Sequence, residues 1–124
     1  MLRFVPYLLL VGVLLSAQEV KSVELSRYEV LAQVIQDHSI PNLVVVDVRS
    51  PDDYAQGHIP GAINIPWEKI FAEYPSNSAK APIVVYGRPA SADSRKAVDI
   101  LRTRGYQNVF LFGSVSQWKG DLVQ

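Results

Sequence analysis

The stretch that decides the fold is residues 43–66, LVVVDVRSPDDYAQGHIPGAINIP. Residues 43–48, LVVVDV, form an almost continuous β-branched run. A strand with one face in water alternates apolar and polar residues. This run does not, so it predicts a strand buried on both faces, as in a parallel sheet under helices. Ser50-Pro51-Asp52-Asp53 predicts a short helix, with Ser50 as cap, Pro51 in the first position and two acids at the positive end of the helix. Gly57 ends that helix, and residues 62–65, AINI, predict a brief strand stopped by Pro66.

The pattern continues on both sides. Upstream, Ser26-Arg27-Tyr28-Glu29 reads as a capping box with Ser26 as N-cap, and Val30, Leu31, Val34 and Ile35 follow at helical spacing to about Asp37. Pro41-Asn42 breaks that helix. Downstream, residues 67–71 predict a short amphipathic helix, 75–80 a polar loop, and 82–86 (PIVVY) a second buried strand. Residues 94–104 predict a helix with Ala97, Val98 and Leu101 inward, ended by Gly105. A strand over 109–112 and a final turn over 114–119 carrying Trp118 complete the chain. Strands alternating with helices at this spacing imply an α/β domain of three layers, a central parallel sheet with helices on both faces. There is no internal repeat.

Composition bounds the chemistry. The chain has 124 residues, 12 basic and 12 acidic side chains, 48% hydrophobic residues and no cysteine. This length fits one domain, and a charged fraction of 19% does not describe a disordered chain. Balanced charge gives no electrostatic case for nucleic acid. Without cysteine there is no disulfide, no thiolate metal site, no iron–sulfur cluster and no cysteine nucleophile. Two histidines, His38 and His58, are a poor inventory for a metal centre, and neither metal nor cofactor is expected.

Residues 1–17, MLRFVPYLLLVGVLLSA, have one early cation (Arg3), a short apolar core and the small residues Ser16-Ala17 before a polar switch at Gln18-Glu19. That is the pattern of a secretory signal peptide, which leaves 18–124 as a single exported domain, periplasmic or secreted. The alternative is an uncleaved membrane anchor, although the 14-residue run over 4–17 is short beside the ~20 residues of a spanning helix. Membrane contact is expected only in that alternative.

In an open parallel sheet ligands bind beyond the carboxyl ends of the strands. Two such ends matter here. One presents Asp47, Val48 and Arg49, and the other presents Gly87, Arg88, Pro89, Ala90, Ser91, Ala92 and Asp93 ahead of a helix N-terminus. A loop placed between a buried strand and a helix points backbone N–H groups into a shared space that can hold an anion.

These motifs resemble the rhodanese-like (thiosulfate sulfurtransferase) family. The stretch DVRSPDDYAQGHIPGAINIP, residues 47–66, is close to the family's first signature, and residues 83–112, IVVYGRPASADSRKAVDILRTRGYQNVFLF, resemble its active-loop strand, helix and following strand. Gly105-Tyr106, Val109, Leu111, Gly113 and Trp118 continue the match, so the resemblance covers about 23–118. In that family a cysteine after the "VVY" strand accepts sulfur as a persulfide, and the loop wraps its amides around it. The aligned position here is Gly87, which cannot carry a persulfide. Ser91 or Ser94 offers only a hydroxyl, with no histidine in the loop to activate it. The arginine common in that loop is displaced to Arg88, and Asp93 stands just before the helix, where it is expected to act as N-cap rather than face an anion. The family's paired glycine after the last strand is incomplete, since Gly113 is followed by Ser114.

For Asp47, Arg49 and His58 the expected role is support. Asp47 is expected to accept turn amides or pair with Arg49, and His58 to donate to a nearby backbone carbonyl. Two functional classes follow. The first is a catalytically inactive rhodanese-like module that binds a partner protein or a small anion through its degenerate loop, aided by Arg88, Arg95 and Lys96. The second is an enzyme of altered chemistry, such as a hydrolase using Asp93 or Ser91 with His58 supplied from another loop.

Overall fold

A computed structural model describes residues 24–124 of the chain. The proposed export segment, 1–17, lies outside the described residues. The elements are α1 (Tyr28–Asp37), β1 (Val44–Asp47), α2 (Pro51–Gln56), β2 (Ile63–Asn64), a 3-10 turn (Trp67–Lys69), β3 (Pro82–Gly87), α3 (Asp93–Thr103), β4 (Asn108–Ser114) and a second 3-10 turn (Val115–Gln117). The strands form one parallel sheet in the order β2-β1-β3-β4.

The β-branched runs do what their lack of alternation implies. Every residue of β3 is buried, and its side chains divide between two cores. On one face Val46, Ile83 and Val85 pack with Ala97, Val98 and Leu101 of α3. On the other, Val45, Val84 and Tyr86 pack with Leu31 and Val34 of α1. The domain is therefore three-layered, with apolar burial on both faces of the sheet as its main driving force.

Register fixes what stands at the carboxyl edge. Asp47 of β1 pairs with Tyr86 of β3, and Gly87 pairs with Ser114 of β4, so the ends of three strands lie side by side. Between Leu111 and Gly113 the β3–β4 ladder gains an extra residue, Phe112, whose ring is buried with the α1-side core. Such a bulge bends a strand and re-aims its end. Here it turns the end of β4 at Gly113, which adopts φ 101°.

Several expectations are corrected. Ser26 does not cap α1. Arg27 is the N-cap and offers no side-chain bond, because its N–H closes a turn onto the Glu24 carbonyl that leaves Ser26 exposed. Residues 67–71 are not an amphipathic helix but one 3-10 turn, Trp67–Lys69, and Phe71 points into solvent. The final turn expected over 114–119 is present, as a 3-10 turn over Val115–Gln117 held by Ser114 and Gln117, and Trp118 packs edge-on against Tyr28 and Phe112. α2 matches its signals: the Ser50 hydroxyl accepts from the Asp53 N–H, and Gly57 closes the helix onto the Tyr54 carbonyl.

Candidate functional site

The site is built on the ends of β1, β3 and β4. At the end of β1, Asp47 is fully buried, yet it is ionisable, so it needs partners. Arg49 supplies them through a two-pronged contact, Nε to the carboxylate at 3.0 and 3.1 Å and Nη2 to Oδ2 at 2.7 Å, and its own N–H donates to Oδ1 at 2.8 Å. The same Nη2 donates to the Gly57 carbonyl at 2.6 Å, tying α2 to the strand end. Burial alone would lower the Arg49 pKa. Hydrogen bonding to Asp47 and its charge outweigh that and hold the guanidinium charged above its ordinary range. Tyr86 lies beneath. Its hydroxyl accepts from the Ile59 N–H at 3.1 Å, and burial, reinforced by Asp47, pushes its pKa well above the ordinary phenol value.

His58 belongs to this scaffold and not to the loop. Its ring stacks on Tyr54 at 3.9 Å between centroids, and Nδ1 lies 3.0 Å from the Tyr54 carbonyl, which can only accept, so Nδ1 carries the proton. Its backbone pairs with Val123 in both directions. Asp47 and Arg49 pair with each other, and His58 faces a backbone carbonyl.

At the end of β3, Gly87 is buried and opens the loop of Arg88, Pro89, Ala90, Ser91 and Ala92 that leads into α3. A Cβ added at Gly87 would meet Val48 Cγ2 at 3.3 Å, Ser94 Cβ at 3.4 Å and the Ser94 backbone N at 3.5 Å. The space is tight but not closed, and it faces the first turn of α3. Ala90 turns the loop in a left-handed conformation, φ 56°. Asp93 is not the N-cap. Ala92 is, without a side-chain bond, and Asp93 is the first helical residue. The Asp93 carboxylate instead pairs with Arg88 Nη2 at 2.8 Å, while its N–H donates to the Ser91 hydroxyl at 3.1 Å. The cation and the acid that the sequence left separate are thus each other's partners, and Ser91 supplies the turn that sets them facing.

Two clefts flank the loop, and Arg88 lines both. One, of about 400 Å³, lies between the loop and β4, lined by Ser91, Ser94, Arg95, Gly113, Ser114 and Gln117 among others. The other, of about 240 Å³, lies toward β1 and is lined by Arg49, Ser50, Asp53, Trp67, Glu68 and Asp93. Their charges differ. On the β1 side Arg49 is neutralised by Asp47 and Arg88 by Asp93, and Asp53 and Glu68 are in no salt bridge among the described residues. On the β4 side Arg95 is a second cation and no acid lines the cleft. An anion is favoured only on the β4 side. Lys96 turns away from it, with Nζ 5.2 Å from the Trp67 ring centroid. In the sequence Gly113-Ser114 stands out only as an incomplete glycine pair, and nothing there marks it, with Gln117, as a cleft wall. The signal was available, because in a parallel sheet the end of the next strand must stand beside the end of β3.

Similarity to known proteins agrees with this architecture. The family model described as "Rhodanese-like domain" matches residues 29–121. The chain is 27% identical over 115 residues to the thiosulfate:glutathione sulfurtransferase of Saccharomyces cerevisiae, with 82% of each chain covered. Among solved structures, the Alr3790 protein from Anabaena superposes with a TM-score of 0.63 at 30% identity, covering 72% of both chains. A structure described as rhodanese with anions, from E. coli, gives 0.61 at 30% identity, covering 66% of this chain and 98% of that one. With three-quarters of its length inside the family model and the parallel sheet, helical layers and strand-end loop in place, the chain belongs to the rhodanese-like domain family.

Proposed function

We propose that this protein is a non-catalytic rhodanese-like module that acts after export and binds a small anion, or an acidic group of a partner protein, on the β4 side of the loop. The observation that carries the reading is Gly87. It stands at the buried end of β3, where the loop begins, and the chain has no cysteine to take its place. Sulfur transfer needs a thiolate that attacks the outer sulfur of thiosulfate, expels sulfite with the bonding electron pair and hands the sulfur to an acceptor. No side chain here can hold that sulfur. The loop nevertheless remains built, by the Arg88–Asp93 pair, the Ser91 turn and the first turn of α3. A relative described as rhodanese with anions supports an anion as the ligand class, and Arg95, which is in no salt bridge among the described residues, supplies the matching charge.

The hydrolase reading has less support. A serine nucleophile needs a base within reach, and His58 lines neither cleft beside the loop. The test is a titration of the protein with thiosulfate and with sulfate, followed by amide NMR. The expected result is shifts confined to residues 88–95 and 113–117, weakened several-fold in Arg95→Ala. Shifts on the Asp53–Glu68 side, or none, would count against the reading. The export part is tested by N-terminal sequencing of the protein recovered from the producing cell, with Gln18 expected first.

A further inference from the structure

The opposite end of the sheet carries another cleft, of about 380 Å³, lined by Tyr74, Ser76, Asn77, Ala79, Arg104, Gly105 and Tyr106. It is unrelated to the strand-end loop: it lies where β3 and β4 begin. Arg104, just past the end of α3, is its centre. Nη1 donates to the backbone carbonyls of Ile70 and Glu73, which locks the guanidinium in place. The group also lies 4.8 Å from the Tyr74 ring centroid and 5.8 Å from that of Tyr106. Tyr106 is fixed in turn, since its hydroxyl donates to the Ser76 carbonyl at 2.9 Å.

This arrangement leaves something over. Among the described residues Arg104 has no acidic partner, and its Nε and Nη2 donate to no group. Nε–H and Nη2–H are the side-on fork of a guanidinium, the same edge with which Arg49 grips Asp47 in this protein. The fork is held rigid, so little side-chain entropy is lost when it binds. Beside it the Tyr74 ring is 74% exposed, so it offers an open flat face next to the guanidinium. One guanidinium is the site's whole positive charge, which suits a monoanion better than a doubly charged phosphate.

We propose that the Arg104 cleft binds a monocarboxylate carrying a flat apolar group, with the carboxylate on the Nε–Nη2 edge and the apolar part against Tyr74, Ala79 and Tyr106. The carboxylate could belong to a free aromatic acid or to the C-terminal residue of a polypeptide. Both present the same chemistry to the fork.

The experiment titrates the full chain with benzoate, N-acetylphenylalanine, N-acetylphenylalanine amide and inorganic phosphate, read by amide and arginine Nε–H NMR. Millimolar binding of either carboxylate is expected, with shifts at Asn77, Gly105, Tyr106 and the Arg104 Nε–H. Tighter binding of benzoate assigns a free acid, and tighter binding of N-acetylphenylalanine assigns a polypeptide terminus. The amide should bind at least tenfold more weakly than its acid. Arg104→Lys keeps a cation on the two carbonyls but loses the fork, and Tyr74→Ala alters an exposed ring, so both variants should fold. Arg104→Lys should lose at least tenfold in affinity and Tyr74→Ala several-fold. Equal binding of acid and amide, phosphate binding tighter than either carboxylate, unchanged affinity in Arg104→Lys, or no shifts at 50-fold excess over a millimolar constant would each overturn the proposal.

Discussion

Asp47 and Arg49 show how much of the site is scaffold. The pair is almost entirely out of water, with side-chain exposures of 0% and 9%, and each partner is satisfied by the other and by backbone groups. Removing the charge from one side leaves the other buried and uncompensated. Asp47→Asn should therefore lower unfolding stability by about 3 kcal/mol or more in urea titration. Tyr86 makes a second residue-scale prediction. Its folded-state pKa is raised above its unfolded value. Stability from keeping it neutral is fully present below pH ~10, and falls as pH rises beyond that, because the unfolded chain gives up the phenol proton first. Absorbance of tyrosinate should show one phenol that titrates only with alkaline unfolding, and this step should vanish in Tyr86→Phe. At this scale the sequence was readable for Asp47, Arg49 and His58, because strand-end and turn chemistry restricts what an acid, an arginine and a histidine can do there. It was not readable for Asp93. An acid before a helix ordinarily caps it, and only the fold of the loop brings Arg88 within 2.8 Å.

Among the elements, the buried strands and α2 follow from local signals: β-branched runs for β1 and β3, and Ser50, Pro51 and Gly57 for the short helix. The failures have a common cause. Ser26 and residues 67–71 carry correct local patterns, but burial of Leu25 and the turn closed by Arg27 decide where α1 starts. The Val48 carbonyl accepting the Trp67 N–H helps hold the following segment to one 3-10 turn. The bulge at the end of β4 was also hidden, since an extra residue in a ladder is defined by its partner strand. It can be tested at Gly113. A Cβ there would stand 2.0 Å from Gln117 Oε1, the atom that accepts the Ser114 N–H, and the backbone lies at φ 101°. Gly113→Ala should cost about 1–3 kcal/mol by denaturant unfolding, and should disturb the β4-side cleft more than the β1-side one.

Taken as a whole, the molecule keeps the architecture of its family while its strand-end site holds no nucleophile of the required kind. The three layers and the strand order depend on apolar burial, the strand end on the Asp47–Arg49 network, and the loop on the Arg88–Asp93 pair and the Ser91 turn, none of which needs a side chain at position 87. That separation explains why the fold was legible over most of the chain. The ligand was not, because the two clefts beside the loop are assembled from α2, the segment after β2, α3 and the end of β4. The Arg104 cleft was still less visible, since Tyr74 and Arg104 are remote in sequence and meet only across the bottom of the sheet.

The proposed inactivity rests first on the thiol missing at Gly87, in a chain that otherwise keeps the fold of its family. The space at Gly87 admits a Cβ with small shifts of Val48 and Ser94, so Gly87→Cys should fold with a loss of about 1–3 kcal/mol. The decisive measurement compares transfer of sulfur from thiosulfate to cyanide by the wild type and by Gly87→Cys, followed as thiocyanate formed. No activity above buffer is expected in the wild type, and measurable turnover in the variant. Turnover by the wild type would contradict the proposed inactivity.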